Sequence, residues 1–263
     1  MIRCFCLNLI FAAAAAAQPA KLVWADEFDT PGLPDPARWA YQTGGGGWGN
    51  QELQFYTEAR PENARIERGR LIITARREPW QGRAYTSARL VTKGRKHFLY
   101  GWFEIRAKLP CGRGTWPAIW MLGEGWPEKP WPAVGEIDIM EHVGHDAGRV
   151  HAAVHTTAYN GARNTHKSGV AAAPGACEQF NVYALHWTPD NLEFYFNNQP
   201  FFRYVNDNSG EDAWPFGRPF YLLLNVAVGG AWGGRQGVDE AAFPQGMEVD
   251  YVRVYDRKPE SFP

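Results

Sequence analysis

The 263-residue sequence predicts an all-β fold, a sandwich or a barrel, on three observations. Short apolar runs recur at modest spacing, several alternating with a period of two. Clusters of Gly, Pro, Asn and Asp separate the runs. Helical periodicity is almost absent. With no repeat, charged tail or Ser/Pro linker to divide it, the sequence from 21 to 263 reads as a single domain after a leader over 1–20. A hydrophobic content of 45% suffices for a substantial core. The net charge of −1, with signs mixed, gives no electrostatic case for nucleic acid or an anionic membrane as partner. Twelve Trp exceed what such a core needs and favour a groove lined by flat apolar faces.

The leader MIRCFCLNLIFAAAAAAQPA sets one Arg before an apolar stretch over 5–11 and a tract of small residues ending near 17. That is the pattern of a cleavable secretory signal, cut between 15 and 20, and it is short for a spanning helix of ~20 apolar residues. A secreted protein, extracellular or periplasmic, is expected, with no membrane association once the leader is gone. Cys4 and Cys6 would leave with it. Cys111 and Cys177 remain, and a disulfide and two free thiols are both open.

The strands follow in order. KLVWADEF (21–28) comes first, then the loop GGGGWGN (44–50), which lacks the Lys-Ser/Thr and helix of a phosphate loop and reads as a groove rim. RLIITARR (70–77), TSARLVT (86–92) and HFLYGWFEIRAKL (97–109) come next. In the last of these Trp102, Glu104, Arg106 and Lys108 share one face and Phe103, Ile105, Ala107 and Leu109 the other, so one face should meet the core and the other water or a ligand. TWPAIWML (115–122), VGEIDIMEHV (134–143), VHAAVHTT (150–157), FNVYALHW (180–187), LEFYFNN (192–198), PFYLLLNVAV (219–228) and MEVDYVRVY (247–255) complete the series.

One strand breaks the pattern. In GEIDIMEHVG (135–144) Glu136 and Asp138 share a face, but strict alternation puts Glu141 with Ile137 and Ile139. Burying that carboxylate costs several kcal/mol or forces its protonation. One extra residue near Ile139–Met140, a β-bulge, returns Glu141 to the face of the other two acids. Three carboxyls on one patch cannot all ionise normally, so at least one stays protonated near neutral pH. A carboxylate beside a carboxylic acid is what glycoside hydrolysis uses, and a separation of ~5–5.5 Å would give retention of configuration. A solvent-facing acidic strand does not explain the apolar neighbours. A metal site of Glu136, Asp138, Glu141 and His142 is chemically possible, but His142 alternates away from Glu141.

With EIDIME in view, the chain resembles glycoside hydrolase family 16, in the laminarinase-like branch with the E-x-D-x-x-E form of the signature. LVWADEFD, GNQELQFYT, TSARLVTKG, FLYGWFEIRAKLP, TWPAIWMLG, LLLNVAVGGAWGG and VDYVRVY carry the likeness over nearly all of the chain. The resemblance implies a β-jelly-roll of two curved antiparallel sheets with an open cleft on the concave face. It makes Glu136 the nucleophile, Glu141 the general acid/base and Asp138 the helper that hydrogen-bonds the nucleophile. It assigns Asn50 and Arg89 to sugar hydroxyls on the non-reducing side and His155 to the leaving-group side. By period His151 shares the face of His155. Trp116 and Trp120, four apart, share one face and would stack on sugar rings. Trp232 in the GGAWGG loop can close over the cleft. The resemblance also implies a structural Ca²⁺ held by Glu27, the carbonyl of Gly69 and Asp250, with no cofactor needed for catalysis. The expected activity is endo-hydrolysis of β-1,3-glucans by a monomer. The rivals are a mixed-linkage glucanase, a transglycosylase, an enzyme for a sulfated or galactan polymer, and a glucan-binding receptor.

Overall fold

The computed structural model describes residues 18–260, so the leader falls outside the described residues apart from 18–20. Within them the chain forms β1 (Leu22–Asp26), β2 (Ala40–Tyr41), β3 (Gln54–Tyr56), β4 (Ala64–Ile66), β5 (Leu71–Trp80), β6 (Arg83–Ser87), β7 (Arg89–Val91), β8 (Gly101–Lys108) and β9 (Thr115–Gly123). There follow β10 (Glu136–Glu141), β11 (Arg149–His155), β12 (Lys167–Ala172), β13 (Asn181–Trp187), β14 (Asn191–Phe196), β15 (Gln199–Val205), β16 (Phe220–Val228) and β17 (Gln245–Tyr255). The only helical pieces among the described residues are three single 3₁₀ turns. No described helix is long and apolar enough to cross a membrane.

Two sheets result. One runs β15-β14-β13-β8-β17-β5-β6-β3, with β1 on β17 and β4 on β5. The other runs β12-β11-β10-β9-β16-β7-β2. All pairings are antiparallel except β3 with β6. The all-β jelly-roll sandwich expected from the sequence is present.

Apolar side chains of alternate residues meet between the sheets: Phe103, Ile105 and Ala107 from β8, Leu222, Leu224 and Val226 from β16, and Met247 and Val249 from β17. On β17 the inward series then shifts to Val252 and Val254, because the register slips between Val249 and Tyr251 and throws Asp250 outward.

The outer face of β8 differs from expectation. Arg106 and Lys108 are half-exposed, but Trp102 and Glu104 are buried. Trp102 lies in a second small cluster with Ala184, Tyr195 and Tyr255, and Glu104 accepts hydrogen bonds from Trp102 Nε1 (3.2 Å) and Tyr251 Oη (2.7 Å). Neighbouring strands supply a cover that the β8 sequence could not announce. β8 also begins at 101 rather than 97, because Gly101 sits at φ +122°, where an added Cβ would lie 2.5 Å from the Tyr255 carbonyl oxygen.

Two of the expected calcium ligands carry guanidinium partners. Glu27 accepts two hydrogen bonds from Arg253, at 2.8 and 2.9 Å, and Asp250 pairs with Arg106 at 2.6 Å. Each carboxylate is thus paired with a guanidinium across the sheet. A Ca²⁺ held by Glu27, the Gly69 carbonyl and Asp250 would compete with these two ion pairs. Cys111 and Cys177 are joined in a disulfide, Cα to Cα 5.8 Å, closing a loop that holds β9 to β12.

Candidate active site

The site grows from the misfit in β10. Glu136, Ile137 and Asp138 pair in order with Leu122, Met121 and Trp120 of β9, but Met140, not Ile139, faces Ile119. The register with β11 slips over the same residues. Ile139 is the extra residue, so Ile139 and Met140 both enter the core and Glu141 returns to the face of Glu136 and Asp138.

Each acid then heads a row across the sheet. Glu136 lies between His155 and Leu122, and Asp138 between Ala153 and Trp120. Glu141 lies between His151 and Ala118, and its row continues through Asn225 to Arg89. Gly135, at φ +83°, makes the turn into the strand, and a Cβ there would press on Phe220 and Pro215 at 2.9 Å.

The rows floor an open cleft of about 1090 Å³. All three acids line it, as do Asn50, Arg89, Trp116, Trp120, His151, His155 and Trp232. Trp116 Nε1 donates to Glu141 Oε1 at 2.9 Å and lies edge-on to Trp232 at 5.5 Å. Trp120 Nε1 donates to Asn225 Oδ1 at 2.7 Å. The Arg89 guanidinium is held between the rings of Trp48 and Trp120, at 4.7 and 4.6 Å. Of the four residues weighed as a metal set, His142 turns to the opposite face and is fully buried, so that set is not assembled.

Electrostatics separates the two glutamates. Burial, then the Asp138 charge, pushes both above the usual carboxylate range. The opposing influences differ. Glu136 feels the His155 and Arg89 charges and the Trp131 indole, whereas Glu141 has His155 and the Trp116 N–H. The extra cation favours charge on Glu136 and leaves Glu141 the better holder of a proton. His155 sets Nε2 3.1 Å from Asp138 Oδ2 and 3.7 Å from Glu136 Oε1. Burial opposes its protonation, but the close contact with Asp138 and the three acidic charges outweigh it and lift the pKa to about 9. Its Nδ1 accepts from the Gly161 N–H at 3.0 Å, a bond an imidazolium would forfeit, which holds that proton back.

Sequence reasoning missed several members of the site. Trp131, Trp48 and His166 lie in loops or short polar stretches with no periodicity to read. Asn225 left a signal: a lone polar residue in an apolar strand, the same sign that exposed the acids. Glu52, two residues beyond the rim loop, carries no pattern of its own in the sequence. It is only 5% exposed and accepts from Gln54 Nε2 (2.6 Å), Asn50 Nδ2 (3.3 Å) and Tyr56 Oη (3.4 Å). Tyr56 Oη in turn accepts from Asn225 Nδ2 at 3.0 Å, so Glu52 ties Asn50 to the support of Trp120. Hydrogen bonds to a charged group contribute ~1.5–3 kcal/mol each. Glu52→Gln is therefore expected to raise KM for a long glucan about tenfold or more with kcat nearly kept. An unchanged KM in steady-state kinetics would refute the link.

Comparison with known proteins places this geometry. The model of glycosyl hydrolases family 16 matches residues 51–253. A β-glucanase of Rhodothermus marinus is 55% identical over 242 residues, covering 89% of this chain and 85% of the relative. Among solved structures, the laminarinase from Rhodothermus marinus superposes with a TM-score of 0.89 at 54% identity, over 91% of this chain and 98% of that one. A non-specific endo-β-1,3(4)-glucanase, SCLam, gives 0.87 at 48% identity over 93% and 94%.

Proposed function

This chain belongs to glycosyl hydrolases family 16 and is an endo-glucanase of the β-glucanase type, and on that premise we propose that it cuts internal β-1,3 bonds of laminarin-like glucans with retention of configuration. The observation that carries this reading is the bulge that sets Glu136, Asp138 and Glu141 on one cleft-facing patch.

In the first step Glu141 gives its proton to the departing glycosidic oxygen while Glu136 Oε attacks the anomeric carbon. Trp116 holds the donor in place through its Nε1. His155 offsets the charge of the nucleophile from 3.7 Å, and Asp138, 3.1 Å from the same Nε2, holds that imidazole beside it. In the second step Glu141, now a carboxylate, takes a proton from water, which displaces the sugar from Glu136. The indoles of Trp116 and Trp120 supply stacking faces, and Asn50 and Arg89 offer donors to sugar hydroxyls. No organic cofactor enters the reaction. Secretion forms part of the proposal and rests on the leader sequence.

The test is a product profile on laminarin, mixed-linkage glucan and agarose, with Glu136→Gln as control and the first-formed anomer read by NMR. Internal cleavage of laminarin giving the β-anomer first is the expected result. The α-anomer first would overturn retention, and binding without cleavage would favour a receptor. The likeness to a protein named as a non-specific endo-β-1,3(4)-glucanase favours one alternative, in which mixed-linkage glucan is cut at least as fast as laminarin.

A further inference from the structure

Behind the catalytic strand lies a group of donors that the proposed reaction does not use. Cys111 follows β8, Cys177 precedes β13, and His142 follows Glu141 on the opposite face. His142 Nε2 stands 3.8 Å from Cys111 Sγ, and one ligand atom from each of the three residues lies within 4.8 Å of the others. The Ala147 carbonyl oxygen completes the group, 3.3 Å from His142 Nε2 and 4.0 Å from Cys177 Sγ. The His142 ring is 0% exposed, and its Nδ1 has no hydrogen-bond partner. A buried imidazole aimed at two sulfurs, with an oxygen beside them, is more than a disulfide needs.

We propose that the dithiol form of this pair is a binding site for one thiophilic tetrahedral cation of the Zn²⁺ class, with Cys111, Cys177 and His142 as ligands and the Ala147 carbonyl oxygen as fourth donor. Disulfide and metal are alternatives at one place. An external phosphine or thiol reductant supplies the two electrons that break the S–S bond, and two protons from water complete the thiols. Binding of the divalent ion releases both thiol protons, leaving two thiolates on the metal. Either bridge closes the loop that carries β9 to β12.

The experiment takes the full chain with Cys4→Ser and Cys6→Ser, so that only the two thiols at issue remain, reduces it with a phosphine and titrates it with Co²⁺. One equivalent should give the d–d bands of tetrahedral cobalt and a thiolate charge-transfer band, both abolished by Zn²⁺ and absent from the oxidised chain. Cys177→Ser should abolish them, and His142→Gln should weaken binding by more than about tenfold, the loss that even an outer-shell change can bring. An octahedral or absent spectrum from reduced chain that keeps its strand circular dichroism overturns the proposal, as does an unaltered spectrum in Cys177→Ser. Should that variant not fold, the parent chain decides: one equivalent of Zn²⁺ should slow disulfide re-formation by oxidised glutathione more than about tenfold, and equal rates refute the site.

Discussion

Glu141→Gln is expected to lower kcat on laminarin by ~10²–10⁴-fold, the usual contribution of a positioned general acid, with KM little changed. The amide keeps the contact with Trp116 Nε1 through its oxygen but has no proton to give a departing alkoxide. A glucoside with an activated aryl leaving group needs no such proton, so its first step should lose far less. Equal losses on both substrates would remove Glu141 from the acid role.

The same variant should also change stability. Burial and the Asp138 charge raise the Glu141 pKa in the folded chain above its unfolded value. The protonated form is therefore the one the fold favours. Its contribution is fully present below the unfolded pKa and is lost as pH rises through the folded one. Glu141→Gln stays neutral throughout, so its Tm should exceed that of the parent at alkaline pH and converge on it in acid. A Tm difference independent of pH would contradict the shift.

Reducing the Cys111–Cys177 disulfide in metal-free buffer, or replacing both residues with Ser, is expected to cost about 4 kcal/mol, because the unfolded chain regains the freedom of a long closed loop. For a domain of this size that is roughly 10 °C in Tm. The loop contains β9, β10 and β11, with every proposed catalytic residue and both platform indoles. Activity at moderate temperature should therefore fall before global unfolding. A calorimetric shift below about 2 °C, half a kcal/mol to one on the same scale, would show that the sheets hold this loop without the crosslink.

Several strands escaped the sequence for identifiable reasons. β12 reads KSGVAA, an edge strand with a mid-strand glycine and mostly exposed positions, so no alternation marks it. β15 hides behind Asn197 and Asn198, both at positive φ (45° and 66°), the conformation a two-residue hairpin turn requires. That dipeptide was a legible signal left unread. β3 carries no alternation to read, because only three of its residues pair, and they do so in parallel with β6.

Within the catalytic strand local pattern was enough. An acid at an odd offset among isoleucines has one inexpensive solution, an extra residue, and the structure places it at Ile139. Alternation likewise settled the face shared by Trp116 and Trp120, since a period of two is a local property. Whatever depends on a partner distant in the chain is set by how the strands assemble. Local pattern reports what a side chain needs, whereas the partner that meets the need is chosen by which strands the fold brings together. Thus Arg253 and Arg106 occupy the two carboxylates expected to hold calcium, Cys111 finds Cys177, and Arg89 lies nearer in its effect to Glu136 than to Glu141. That last asymmetry, invisible in a symmetric spacing of acids, is what separates the proposed nucleophile from the proposed acid.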